Sequence, residues 1–386
     1  MMSHRLKILH VISSWESGVA NELAAFAARL PRDEFESKIC VLAGQDCRRV
    51  PDVPTTTLNR RWSFDVNAHF GMRRTLRQFC PSVIHAWDTT AQCFGALQCY
   101  GAMRRGRVLV EKRETDAPNG WWQNYLDRKT YRFIVPRENS HLPVAKTIVV
   151  PPLAVPMSCD PIPAEALLAK LNIPLVEPTG DYYPVHQPQY EPARRNYLPI
   201  PSHQPPFLIG IVLPLCSEHR ILDALWVFET LNHVHLNFHA FFLGDGKDRE
   251  LFLRYRDRWK LSSRVHFFGN RPAPERLLPS FDVLLHLSSS AEHSGTILSA
   301  MSCGVPVIAL ETPESQEYVL DGTTGFLIPS EGDFRFYRRT AAKLLLSLLE
   351  NVELRRSMPI AAKDRIAQKY NFEESVQRRI QIYHEL

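Results

Sequence analysis

The stretch from residue 281 to residue 309 restricts the fold more than any other part of this chain. After Phe281-Asp282 comes Val283-Leu284-Leu285-His286-Leu287, an apolar run of strand length. Ser288-Ser289-Ser290-Ala291-Glu292-His293 reads as a loop. Ser294 and Thr296 suit a helix start, and Gly295 between them leaves room for a ligand against the backbone. Ile297-Leu298-Ser299-Ala300-Met301-Ser302-Cys303 is helical in pattern, Gly304 ends it, and Val305-Pro306-Val307-Ile308-Ala309 reads as the next strand. Strand, loop, helix, glycine, strand is the building unit of a parallel α/β sheet. It sets the free N–H groups of a helix at the carboxyl edge of the sheet, where such proteins bind phosphates.

The 386 residues leave room for two such units, each with a core of its own. Composition is that of a globular chain, and a net charge of +5 over this length gives no sign of nucleic-acid binding. It permits weak attraction to acidic substrates or to a membrane surface. No apolar run reaches the roughly 20 residues that span a bilayer. The first residues lead straight into a strand, so no signal peptide is expected. The expected location is the cytoplasm, with at most peripheral contact at the inner face of a membrane. The eight cysteines lie scattered without Cys-x-x-Cys spacing. Reduced thiols are expected from this, with no zinc site or disulfide.

The rest of the chain repeats the alternation. Residues 6–12 read as a strand, 20–30 as an Ala-rich helix ended by Pro31, and 35–43 as a second strand. Gly18 lies in the first strand–helix loop and is either a plain turn or a point of ligand approach. Pro81-Ser82-Val83-Ile84-His85 puts His85 at a strand end. It is either a hydrogen-bonded structural residue or, as the family resemblance given below implies, a cleft group for acceptor contact and proton transfer. Residues 107–110 form a strand that runs into Glu111-Lys112-Arg113-Glu114, either a solvated surface or a place where Arg113 or Glu114 lines the cleft. A helix at 164–171 opens a second half with strands at 206–212, 239–243 and 265–268. Residues 312–315 read as a loop, and 340–349 and 359–383 as amphipathic helices. Residues 173–206, rich in Pro and Tyr, have no periodicity. They form either a mobile surface loop or an arm that packs on a partner or over the cleft.

Several of these segments resemble one family in register. Ser299-Ala300-Met301-Ser302-Cys303-Gly304-Val305-Pro306-Val307, Gly244-Asp245-Gly246 and Glu317-Tyr318-Val319-Leu320-Asp321-Gly322-Thr323-Thr324-Gly325 are similar to motifs of the retaining GT-B glycosyltransferases (family 4-like, glycosyl transferases group 1). The resemblance implies an α/β chain of two Rossmann-like domains facing a central cleft. Residues 1–155 would form the acceptor domain and 156–370 the nucleotide-sugar domain, with 173–206 inserted. Residues 371–386 would form a helix that crosses back. It implies transfer of a sugar from a nucleotide-sugar donor to a glycan, lipid or small molecule, without metal or cofactor.

By the same resemblance, His85, Arg113 and Glu292 are the catalytic candidates. Gly18, Arg220, Gly244, Ser294, Gly295, Thr296, Ser299 and Glu317 are the candidates for holding the donor. The departures from the family pattern are specific. Ser299 stands in place of a Glu and Ala291 in place of the first acid, with Glu292 one residue away. Pro214 and His219 stand where an Arg and a Lys would grip the diphosphate. The alternative reading is therefore a catalytically degenerate GT-B binding or regulatory subunit. It would form a homo- or hetero-oligomer through 173–206. A sugar-nucleotide 2-epimerase on the same fold fits the closing motifs less well.

Overall fold

The computed structural model describes residues 5–15, 19–44, 50–61, 65–88, 90–94, 107–111, 130, 132–135, 146–150, 152–155, 161–171, 173, 205–233, 237–269, 274–290 and 293–386. The expectations for Gly18, Arg113, Glu114, Glu292 and nearly all of 173–206 lie outside these residues.

The chain divides into two compact units. One comprises Met1–Pro156, Ser290–Ser302 and Lys363–Leu386, the other Met157–Ser289 and Cys303–Ala362. In the first unit the elements run β1 (Leu6–Ile12), α1 (Ala20–Arg29), β2 (Phe35–Val41), β3 (Thr55–Thr57), α2 (Val66–Phe79), β4 (Val83–Ala86), β5 (Arg107–Glu111), β6 (Arg132–Val135) and β7 (Thr147–Val149). The strands pair in parallel in the order β3-β2-β1-β4-β5-β6-β7. β1 ends in five consecutive buried residues, as a strand covered on both faces requires. Asp65 starts α2 by accepting from the N–H groups of Asn67 and Ala68 at 3.0 and 3.2 Å. Cys80 ends it in the left-handed conformation, φ 49°.

The following elements are α3 (Ala164–Lys170), β8 (Phe207–Val212), α4 (Ile221–His233), β9 (Phe238–Leu243), α5 (Arg249–Arg258), β10 (Val265–Phe267), β11 (Val283–His286), α6 (Gly295–Ser302), β12 (Val307–Leu310), α7 (Pro313–Tyr318), β13 (Gly325–Ile328), α8 (Phe334–Glu350), α9 (Val352–Lys369) and α10 (Phe372–Glu385). The second sheet is parallel in the order β10-β9-β8-β11-β12-β13. That is the doubly wound order, and it reverses direction between β8 and β11. Ligands bind outside the carboxyl ends of the strands at such a reversal.

The helix over 295–302 and its stop at Gly304, φ 75°, agree with the sequence pattern. Two readings need correction. The single helix expected over 359–383 is the end of α9 and the whole of α10. They are separated at Tyr370-Asn371, where the Asn371 side chain accepts from Glu373 and Glu374 N–H and starts a new helix. The loop expected at 312–315 is instead the start of α7. There Thr312 and Ser315 cap one another reciprocally.

Candidate functional site

At the reversal point of the second sheet, the chain leaves β8 through Leu213-Pro214-Leu215-Cys216 and makes a short 3-10 turn, Ser217–His219. Arg220 closes the turn in the left-handed conformation, φ 55°. The turn holds His219 at the carboxyl end of the neighbouring strand, where its Nδ1 lies 2.8 Å from Ser288 Oγ. Burial pulls the His219 imidazole below its usual range, and nearby Glu218 only partly opposes this. His219 is therefore neutral near pH 7 and brings no cation to the place where the family resemblance implies a lysine. His286, the last residue of β11, is 2% exposed, and its Nδ1 has no hydrogen-bond partner among the described residues. Burial, and then the neighbouring His219, hold its imidazole down at about 3.

Arg220 is placed among side chains of its own unit. Its guanidinium lies 4.4 Å from the centre of the Tyr337 ring and 3.5 Å from Asp223 Oδ2, and Asp223 also takes Arg338 at 2.7 Å. Gly244 sits at φ 151°, and a Cβ there would stand 2.2 Å from the Leu213 carbonyl oxygen. At Gly246 a Cβ would stand 2.5 Å from the Leu215 oxygen. The Gly-Asp-Gly match thus reflects backbone packed against the loop after β8.

Beyond β12, the side chain of Glu317 is half-buried on α7. One turn earlier, Glu314 is 4% exposed, and neither carboxylate oxygen has a hydrogen-bond partner among the described residues. A buried carboxylate left unpaired is costly. Glu314 is not visible as a site residue from the sequence, because residues 312–315 look like a plain loop. The Glu-x-x-Glu spacing at 314 and 317, directly after a buried strand, was the available signal. His286 was hidden in the same way, inside an apolar strand pattern.

The helix-start residues belong to the segment counted with the first unit. α6 begins at Gly295, directly after the buried Ser294, and Thr296 is half-buried. Ser299 Oγ donates to the Gly295 carbonyl at 3.1 Å. The hydroxyl that replaces the family's carboxylate is therefore engaged by its own helix. Ser302 Oγ donates to the carbonyls of Ser299 and Val155 at 2.7 and 3.3 Å.

His85 does not open onto a cleft, and that expectation is corrected. Its side chain is fully buried, with Nδ1 2.6 Å from Tyr383 Oη of α10 and Nε2 3.4 Å from Glu111 Oε1. The second contact lacks the geometry of a full hydrogen bond. A carboxylate on the Nε2 side favours the proton there, so Nδ1 accepts from the Tyr383 hydroxyl. Arg379 grips Glu111 with two donors, at 2.8 and 3.3 Å. Burial alone would raise the Glu111 carboxyl, but Arg379 and then His85 outweigh it and hold it at about 2. Burial, and then Glu111, keep the Tyr383 phenol protonated. Across the register from His85, His10 accepts from Trp87 Nε1 at 3.2 Å. The whole arrangement ties α10 to β4 and β5, which makes His85 a structural residue.

Residues 213–347, from the loop after β8 into α8, match the model of the family Glycosyl transferases group 1. The chain has the GT-B fold of glycosyltransferases, as the motif resemblance implied. It superposes on HepE of Anabaena, solved with UDP and glucose, with a TM-score of 0.73 and 17% identity, over 99% of this chain and 100% of that one. Sucrose-phosphate synthase of Thermosynechococcus elongatus gives a TM-score of 0.71 and 14% identity, over 98% of both chains. A curated relative, N-acetyl-alpha-D-glucosaminyl L-malate synthase of Bacillus anthracis, is 28% identical over 144 residues. That match spans only about a third of either protein, 37% of this chain and 36% of the relative.

Proposed function

We propose that the chain binds a nucleotide sugar at the carboxyl ends of β8 and β11. It transfers the sugar, with retention, to an acceptor hydroxyl on a glycan, a lipid or a small molecule. The observation that carries this reading is the family match over 213–347, because that segment contains the reversal point of the second sheet. The HepE structure with UDP-glucose supports a donor of this chemistry on this fold. In this reading Glu292 and Arg113 act at the reacting sugar. The N–H groups at Ser294-Gly295-Thr296 face the diphosphate. Glu317 and the unpaired Glu314 accept from hydroxyls of the donor.

A second reading, a binding subunit without transfer, is favoured by specific observations. His219 is neutral and hydrogen-bonded, Arg220 is engaged with Asp223 and Tyr337, and Ser299 bonds its own helix. Each charged hydrogen bond missing from a diphosphate removes roughly 1.5–3 kcal/mol. Calorimetry with UDP, GDP and ADP and their sugars, followed by measurement of nucleotide release, separates the readings. Micromolar binding with turnover supports transfer, and binding without turnover supports the subunit. Absence of binding to every nucleotide overturns both.

A further inference from the structure

Two neighbouring imidazoles are buried at the reversal point of the second sheet. His219 stands on the turn after β8 and His286 ends β11, and they are 7% and 2% exposed. The 2.8 Å contact of His219 Nδ1 with Ser288 Oγ ties the turn to the chain leaving β11. A hydroxyl accepts as readily as it donates, so this contact suits a neutral or a protonated ring. The Nδ1 of His286 meets no partner among the described residues. The permanent cations of the loops after β8 and β9 already face acids. Arg220 lies 3.5 Å from Asp223, Lys247 3.2 Å from Glu218 and Arg249 3.8 Å from Asp245. Asp248 accepts from the N–H and the hydroxyl of Ser217. Glu218, beside His219 in the turn, favours the charged imidazole. β8 and β12, which flank β11, contain no titratable residue.

We propose that this imidazole pair supplies the positive charge of the donor site, by taking up a proton from solvent as the donor diphosphate binds. The inference rests on the donor reading of the second sheet. No covalent bond of the donor changes in this step, and the proton ends on an imidazole nitrogen. An anion beside an imidazole favours its charged form, which opposes the burial that keeps the unliganded pair neutral. Two rings this close titrate as a unit, so the proton belongs to the pair. The sign follows directly. The unliganded pair is neutral near pH 7 and the liganded pair is charged, so affinity rises as pH falls.

Calorimetry of the full chain with UDP-, GDP- and ADP-glucose, in buffers of different ionisation enthalpy, counts the protons taken up. A diphosphate bonded at both ends lacks the phosphate ionisation near about pH 6, so the proton counted is the protein's. The wild type is expected to take up about one proton at about pH 7. Its affinity should rise by up to about tenfold per unit between about pH 8 and pH 6. His219→Lys fixes a cation in the turn and should bind without proton uptake, with affinity flat in pH. His219→Gln with His286→Asn should lose the uptake and bind at the level the wild type shows at about pH 8. His233→Gln, which changes an exposed imidazole on α4, should behave as wild type does. Melting curves check that each variant is folded. Binding without proton uptake and with affinity independent of pH overturns the proposal and leaves the donor reading standing. Wild-type uptake in His219→Lys overturns it as well. Absence of binding to all three probes at every pH overturns the donor reading, and the proposal with it.

Discussion

Two groups of buried polar side chains, one in each unit, are arranged differently. In the first, Arg379 grips Glu111 and Tyr383 bonds His85 Nδ1 across β4, β5 and α10, while His85 Nε2 lies 3.4 Å from Glu111 without a full hydrogen bond. In the second, His286 at the end of β11 and Glu314 on α7, just beyond β12, are buried with atoms that meet no partner among the described residues. Orphaned side-chain atoms also occur at His10, Trp15, Ser37, Thr57, His85 and Ser375 in the first unit and at His239 and Arg249 in the second. His286 and Glu314 stand apart because they lie at or just beyond strand ends beside the reversal point of the second sheet. A paired network inside a sheet holds the architecture. Unpaired groups at the carboxyl edge of a reversal point are what a ligand would satisfy.

The contrast can be broken most sharply at Arg379. Arg379→Ala leaves Glu111 charged and enclosed, and urea unfolding should show a loss of about 3–5 kcal/mol. A loss below about 1 kcal/mol would show that the network is not structural. On the other side, His219→Lys places a cation at the end of β8. It should tighten UDP binding by about 1.5–3 kcal/mol in calorimetry. Unchanged affinity would move the diphosphate away from this turn. Glu314→Gln replaces a buried carboxyl whose oxygens have no partner and should raise the stability of the unliganded protein by about 1–2 kcal/mol. Affinity for the nucleotide sugar should fall while affinity for UDP stays the same. Lower stability would mean that Glu314 is a structural group after all.

The smallest effect concerns pH. The folded-state pKa of His286 lies well below its unfolded value of 6.5, so the unfolded chain takes up a proton first as pH falls. Stability is full above about 6.5 and declines below it. His286→Asn should remove about 1 kcal/mol of the loss seen between about pH 7.5 and pH 5.5 in urea titrations. Glu111 acts in a separate, lower window. Its carboxyl is depressed from 4.5 to about 2, so its contribution is lost as pH falls through that range. A drop unaffected by the His286 change would assign the upper window to the other buried imidazoles.

The sequence made the alternation of strands and helices legible because buried parallel strands are short apolar runs punctuated by Gly and Pro. The end of α6 at Gly304 was legible because a left-handed position, φ 75°, favours glycine, and at 244 and 246 a Cβ would meet the backbone after β8. The site was read less well. His85 looked like a cleft residue because its strand end resembles a motif of the family. What encloses it is Tyr383 and Arg379, hundreds of residues away, and no local pattern reports such a partner. Residues 312–315 looked like a loop because a six-residue helix is too short to show a period, and Glu314 was overlooked with it.

The grip of Arg379 on Glu111 spans 268 residues of chain. During synthesis, β5 leaves the ribosome long before the side chain that neutralises it exists. At roughly 5–20 residues per second the wait is about 13–50 s. Over that interval the nascent first unit carries an unsatisfied carboxylate and an open seam where α10 will lie. The second unit, complete earlier, is free to fold ahead of it. The first sheet is therefore made long before its covering helix, and this unit closes only once α10 has been synthesised.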